Sequence, residues 1–396
     1  MCAADWLPSL CPTGIFANAS ARSSARPLLH ESTLMSDPLT SPASRREFLA
    51  SAATAAALAA LPSLRTARSR VDPEVLPVLG HGEYRYTMDH AWAKLPTGKR
   101  FGYTHGIVED KAGRFYIANQ SRDAIVVVDA QGNFLSSWGQ AYALGAHGLR
   151  ISEEGGTEYL YLSNTSLGEV VKTTLDGDVV WQAGRPYLAG VYSPDRGYSP
   201  TEAVVGPNGK LYVADGYGQS WIHIYDAKDG KYLDSFGGRG SEPQNLRQPH
   251  GISIDARDGT PRLQVSDRGN IRIVNFTLEG KYLGEVVTKA DLRFPCTSLH
   301  RGELMYVPDL YARVSIFDKT NRKVADLGDY LEGGTFTAES EFGTKYPDLK
   351  GYPNIPHEKR RAGRFISPHA LWVDRVGNIY VVEWVNDGRV TKLTKV

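Results

Sequence analysis

The chain has 396 residues, with 45 Lys and Arg against 44 Asp and Glu and a formal net charge of +1. That balance excludes a broad basic nucleic-acid surface, so no nucleic-acid partner is expected. A composition of 41% hydrophobic and 22% charged residues excludes a disordered chain. The 40 Gly, 22 Pro and 21 Tyr beside only 4 Met favour strands joined by many turns over a helical bundle.

Taken in chain order, residues 1–70 read as an extension and an export signal. Arg45 and Arg46 form a twin-arginine pair, followed by Phe48, Leu49 and a weakly apolar stretch to Leu61. Such a signal hands a folded protein to the twin-arginine machinery of a bacterial inner membrane. The stretch is short for a spanning helix, so no stable membrane span is expected after processing. The expected destination is the periplasm or the cell exterior. Met35 is a second candidate start besides Met1. Of the three cysteines, Cys2 and Cys11 fall in this segment, which leaves Cys296 alone in residues 71–396 and no internal disulfide.

From about residue 101 a unit recurs six times, with a clear copy in EAVVGPNGKLYVADGYGQSWIHIYDAKDGKYLDSFG and the last in HALWVDRVGNIYVVEWVNDGRVTKL. Within each unit apolar residues alternate in short runs separated by Gly-containing turns, which predicts four strands per unit. Six such units predict an all-β fold, a six-bladed β-propeller over 71–396. The last unit lacks a fourth strand, and GEYRYTMDHAWAKL at 82–95 is expected to supply it and close the ring. Residues 329–365 break the repeat as an insertion, either part of a site or a solvated loop.

Aligned on the first strand of each unit, the preceding residue is His105, His147, Thr201, His250, Cys296 and His369. First strands line the central channel of a propeller, so one register becomes a ring around the axis. His147, His250 and His369 come from alternate units, and three converging neutral imidazoles suit Zn²⁺ with an open position, or another divalent metal. The other reading is histidines capping strand ends. His105 and Cys296 share the level, His105 as a further contact or a group facing substrate, Cys296 as a small buried residue. A second ring follows the Tyr-Val-Ala-Asp strand at Asn119, Asn164, Asp215, Asp267, Asp309 and Glu383. It is expected to bind loop amides and to aim the next residues, including Gln120, Tyr217 and Arg268, at the same mouth.

The units resemble NHL-type propeller repeats. The stretches GAHGLRI, LYVADGYGQSWIHIYDAKDGKYLDSFG, QPHGISI with VSDRGNIRI, and SPHALWVDRVGNIYV resemble peptidyl-α-hydroxyglycine α-amidating lyases over roughly 82–396. The resemblance implies a carbon–nitrogen lyase of the amidine-lyase type, with zinc on His147, His250 and His369. It further implies Tyr217 as catalytic base and Arg268 as the partner of a carboxylate on a small-molecule or peptide substrate. Three departures stand out. The family's second arginine is replaced by Gln120, with Arg122 two residues on. Its calcium aspartate is replaced by Ala370, so calcium is not carried over. Gly218 and Val265 stand where animal lyases have disulfide cysteines. Two further readings are another hydrolase or lyase on the same metal ring, and a non-catalytic propeller that binds a protein or polysaccharide partner in the periplasm.

Overall fold

A computed structural model describes residues 75–194, 197–334 and 344–396. The extension, the twin-arginine segment and both early cysteines lie outside the described residues. The described strands belong to the unit Asp72–Val396. They form six antiparallel sheets, the blades of a β-propeller.

Blade 1 runs through Thr104–Glu109, Phe115–Asn119, Ile125–Val128 and Phe134–Trp138. Blade 2 runs through Ala146–Glu154, Thr157–Asn164, Glu169–Thr173 and Val179–Ala183. Blades 3 and 4 begin at Glu202–Val205 and Pro249–Asp255, and blades 5 and 6 at Leu299–Arg301 and Pro368–Val373. These first strands pack side by side, each against the next, and blade 6 returns to blade 1. They are therefore the inner wall of the ring, and their shared register faces the axis.

Each blade buries both faces against its neighbours, so its middle strands are buried along their whole length, as at Phe115–Asn119 and Ile125–Val128. Six apolar clusters result, one in every gap between blades. Tyr116, Leu149 and Leu162 fill the gap between blades 1 and 2, for example, and Ile117, Tyr380 and Val382 that between 6 and 1. Each fully buried side chain of this size contributes about 1.5–3 kcal/mol.

The closing strand is where the sequence places it. Tyr86–Asp89 pairs antiparallel with Arg389–Lys395 as the fourth strand of blade 6. Val78–Leu79 then adds a fifth strand outside it, which the repeat did not announce. The described part of the 329–365 insertion is more than a solvated loop. Its Leu349 and Ile355 are buried with Leu331, Ile366 and Val385 in a small core of their own. Tyr352 donates to Leu310 O at 3.0 Å, and Asn386 N donates to Asn354 Oδ1 at 3.1 Å. The insertion thus covers the loops of blades 5 and 6 on the face where the second ring of residues emerges. Among the described residues, no helix is long and apolar enough to cross a membrane.

Candidate metal centre and channel mouth

Each histidine of the ring sits in a β-bulge at the start of an inner strand. The pairing passes from Thr104↔Asn119 to Gly106↔Ala118, leaving His105 as the extra residue. The same shift falls at His250 between Pro249 and Gly251, and at His369 between Pro368 and Ala370. In blade 2 it falls between Ala146 and Leu149, the stretch that carries His147. A bulge re-aims the residue it inserts, and each of the four turns its imidazole toward the axis.

The rings of His147, His250 and His369 form a near-equilateral triangle, with centroids 4.9, 4.8 and 4.7 Å apart and planes inclined by 69–79°. Every one is held from behind by a backbone carbonyl of the next blade. The Nδ1 atoms of His147, His250 and His369 donate to Thr201 O at 2.7 Å, Cys296 O at 2.9 Å and His105 O at 2.9 Å. These acceptors are the ring residues of the blades between. The bonds place the proton on Nδ1 and leave Nε2 as a lone pair, the arrangement that orients an imidazole as a metal ligand. Burial lowers the pKa of His147 to about 3 and those of His105, His250 and His369 well below the usual range. All four are therefore neutral at pH 7.

The glycine after each of the first three ring histidines permits this approach. A Cβ at Gly251 would stand 2.3 Å from Thr297 Cα and 2.4 Å from Cys296 O, and one at Gly148 would stand 2.4 Å from Thr201 O. Below the imidazoles lies a cavity of about 10 Å³, bounded also by Glu202, Thr297 and Ala370. That is about the room one water or one ion needs. The channel then closes on a polar plug, in which Arg150 Nε lies 2.9 Å from Glu202 Oε1 and Thr297 donates to Glu202 Oε2 at 2.7 Å.

Above the imidazoles stand Tyr217 and Arg268. The Tyr217 hydroxyl lies 3.3 Å from His147 Nε2 and 3.1 Å from His250 Nε2, and it accepts from Arg268 at 3.2 Å. Arg268 is 5% exposed and makes no ion pair among the described residues. Its other partners are Gln248 Oε1 at 3.3 Å, Cys296 Sγ at 3.8 Å and the face of Phe294, 4.8 Å to the centroid. The Cys296 thiol is pushed up to about 12 by burial, so it stays protonated.

The second ring is structural as expected, and fully buried. Asn119 Oδ1 accepts from Gly102 N and Ser121 N, Asp215 Oδ1 from Ser199 N, Asp267 Oδ1 from Arg247 N, and Glu383 Oε1 from Ile366 N. These bonds pin the loops, so the residues that follow point up to the mouth. The structure thus brings together His105, His147, His250, His369, Cys296, Tyr217 and Arg268. Gln120 stands beside the His105 ring. Arg122 does not join them. It is exposed and lines a surface pocket with Lys99, Arg100 and Gln140.

Sequence reasoning missed Gln248 and Phe294. Both stand two residues before the ring position, as do Tyr103 and Ser199, and the same register shifted by two would have found them.

Comparisons with known proteins agree on the architecture. The DUF5128 family of six-bladed β-propellers matches residues 202–341. The human NHL repeat-containing protein 3 is 28% identical over 211 residues, 50% of this chain. That match spans 59% of the human protein, less than two thirds of it. A catalytically inactive virginiamycin B lyase from Staphylococcus aureus, solved with quinupristin, superposes with a TM-score of 0.51 at 14% identity, over 78% of this chain and 100% of that one. A gluconolactonase from Xanthomonas campestris gives 0.54 at 12%, over 81% and 95%. At such identities the likeness is one of fold. The chain is a six-bladed β-propeller, and its sequence matches support the NHL type.

Proposed function

We propose that the protein is a metal-dependent lyase that cleaves the N–Cα bond of a peptidyl-α-hydroxyglycine-like substrate to an amide and glyoxylate. The observation that carries this reading is the position of Tyr217 Oη, in hydrogen-bond reach of two ring imidazoles and of an arginine without a carboxylate partner. The channel's donor set suits a metal: three neutral imidazoles have their Nδ1 atoms tied back beside a cavity of single-atom size, and ligand atoms come within 4.8 Å of one another in two overlapping groups, His105–His147–His369 and His250–Cys296–His369. His147, His250 and His369 would hold it. A zinc ion there, or another divalent ion that accepts imidazole, would act as Lewis acid toward the substrate hydroxyl.

The protein's own groups have distinct tasks. The Arg268 fork binds the terminal carboxylate, and the Phe294 face fixes the plane of the guanidinium. Acting as the phenolate, its own proton already lost to solvent, Tyr217 Oη takes the proton of the α-hydroxyl as the C=O bond of glyoxylate forms. The N–Cα bond breaks, its electron pair stays on nitrogen, and a proton passed from the tyrosine completes the amide. Export by the twin-arginine route would place this chemistry in the periplasm or outside the cell.

One observation favours a binding scaffold instead. Gln120 occupies the mouth where the resembling lyases carry a second arginine, and Arg122 lies on the outer surface. The test is glyoxylate release from an α-hydroxyglycine peptide by the metal-loaded protein, with His250→Ala beside it. Release that the variant abolishes supports the lyase. No release at full metal occupancy refutes it and leaves the propeller as a binding module.

A further inference from the structure

The fourth ring histidine, His105, is placed differently from the other three. Its Nδ1 meets no carbonyl and stands 3.3 Å from His369 Nε2. His369 has already given its own proton to His105 O through Nδ1. Its Nε2 is therefore the acceptor, and His105 Nδ1 must carry the hydrogen. That assignment leaves His105 Nε2 as a bare lone pair. The atom is buried and has no hydrogen-bond partner, in a residue 4% exposed. The Gln120 side chain stands against the ring and interacts with it, but makes no hydrogen bond of normal geometry to Nε2.

The His105 ring lies among other imidazoles, 4.5 Å from those of His147 and His369. The ligand atoms of His105, His147 and His369 all fall within 4.8 Å of one another. The four rings thus form two triangles that share the His147–His369 edge, with His250 at one apex and His105 at the other. Nδ1 is the nitrogen of His105 that faces His369 now, so ligation through Nε2 at this apex requires the ring to turn.

We infer that His105 is a fourth imidazole ligand of the ion in the ring, a site of four histidines from blades 1, 2, 4 and 6. The inference rests on the metal-site reading above and changes its chemistry. Four imidazoles would fill the tetrahedral shell that zinc prefers. An ion that still admits substrate must take a fifth ligand, and among imidazole-binding ions iron(II), cobalt(II) and nickel(II) do so readily. Ligation would also end the contact between His105 Nδ1 and His369 Nε2.

The test uses Co²⁺ alone as probe on the full chain. Visible absorption reports coordination number, X-ray absorption counts imidazoles, and titration gives affinity. Wild type should show four imidazoles and the weak bands of a five- or six-coordinate ion. His105→Ala should show three imidazoles, stronger four-coordinate bands and affinity lower by roughly tenfold or more, the scale that even outer contacts of a metal site carry. His105→Asn, which keeps a polar group of similar reach, serves if the alanine variant misfolds. Superimposable spectra and equal affinity in wild type and variant would overturn the inference. Wild type that binds no Co²⁺ would overturn it together with the metal reading. Four imidazoles without glyoxylate release would leave the inference standing and remove the lyase reading alone.

Discussion

Arg268 donates from its terminal nitrogen to the Tyr217 hydroxyl at 3.2 Å, across the mouth above the ring imidazoles. The guanidinium is buried and has no carboxylate partner among the described residues, so a substrate carboxylate is the charge that completes it. Arg268→Gln should lower kcat/KM on an α-hydroxyglycine peptide by roughly 30-fold or more, the scale of a charge pair that loses one partner at ~2–5 kcal/mol. The loss should appear chiefly in KM. A substrate whose terminal carboxylate is replaced by a neutral amide should be processed alike by wild type and variant. Equal losses on both substrates would reduce Arg268 to packing.

Tyr217→Phe keeps the ring and removes the oxygen that His147, His250 and Arg268 share. Its kcat should fall by about 10²–10⁴-fold, the usual contribution of a positioned proton-transfer group. Co²⁺ affinity should stay within a few-fold of wild type, because the ring nitrogens keep their carbonyl partners. A variant with normal kcat would remove Tyr217 from the chemistry.

Gly251 is the point at which backbone packing and ligand placement meet. An added methyl would collide with Thr297 Cα at 2.3 Å and with Cys296 O at 2.4 Å. Cys296 O is the acceptor that aims His250. Gly251→Ala should therefore cost about 1–3 kcal/mol in unfolding free energy and weaken metal binding roughly 10–100-fold. Gly197→Ala, where a Cβ meets nothing within 4 Å, should do neither. Unchanged metal affinity in Gly251→Ala would separate the carbonyl bond from ligand placement.

What the sequence discloses follows from periodicity. A repeat of strands with Gly turns dictates the blades, and one register dictates the ring of His105, His147, His250 and His369. Their bulges are not legible, because a bulge depends on how two strands pair and not on one strand's pattern. Arg122 shows the limit of proximity along the chain. It follows Gln120 by two residues, yet the turn into Ile125–Val128 carries it to the outer surface. The bond between Tyr192 and His223 at 2.7 Å has no local signature at all, since the two residues lie 31 positions apart and meet only when the loop of Tyr192 folds over blade 3.

That bond makes acid a specific stress on the fold. His223 is fully buried between the Tyr192 hydroxyl and Ser235 Oγ, and burial lowers its pKa to about 3. Unfolded, it titrates near ~6.5. A group with its folded pKa depressed gives its full stabilisation above the unfolded value and loses it as pH falls toward the folded one. Stability should fall from about pH 6.5 downward, by at most ~1.4 kcal/mol per unit for this residue. His90, lowered to about 3, and His300, lowered to about 4, act in the same direction. Asp215, raised to about 6 by burial, acts in the opposite one, since its stabilisation is lost as pH rises through that value. His223→Gln should shrink the difference in urea unfolding free energy between pH 7 and pH 4.5 by ~2 kcal/mol. An unchanged difference would mean that the ring is charged or freely solvated in the folded protein.

Ring closure depends on a short segment far in sequence from the blade it completes. Met88 pairs with Leu393 in the last blade, and both are buried against Leu371, Val381 and Phe365. Val396 N also donates to Arg85 O at 3.0 Å, which ties the end of the last blade to the closing strand. Met88→Ala should cost about 2–5 kcal/mol, because a cavity opens where the two ends of the propeller meet. Met88→Lys should cost more, since an unpaired charge would be buried there. The discriminating measurement is native-state hydrogen exchange. In Met88→Ala the amides of Arg389–Lys395 should lose protection before those of blades 2 to 4, because opening begins at the seam and each remaining blade keeps its two neighbours. Uniform loss of protection around the ring would show that closure and blade packing form one cooperative unit, with no weaker seam at blade 6.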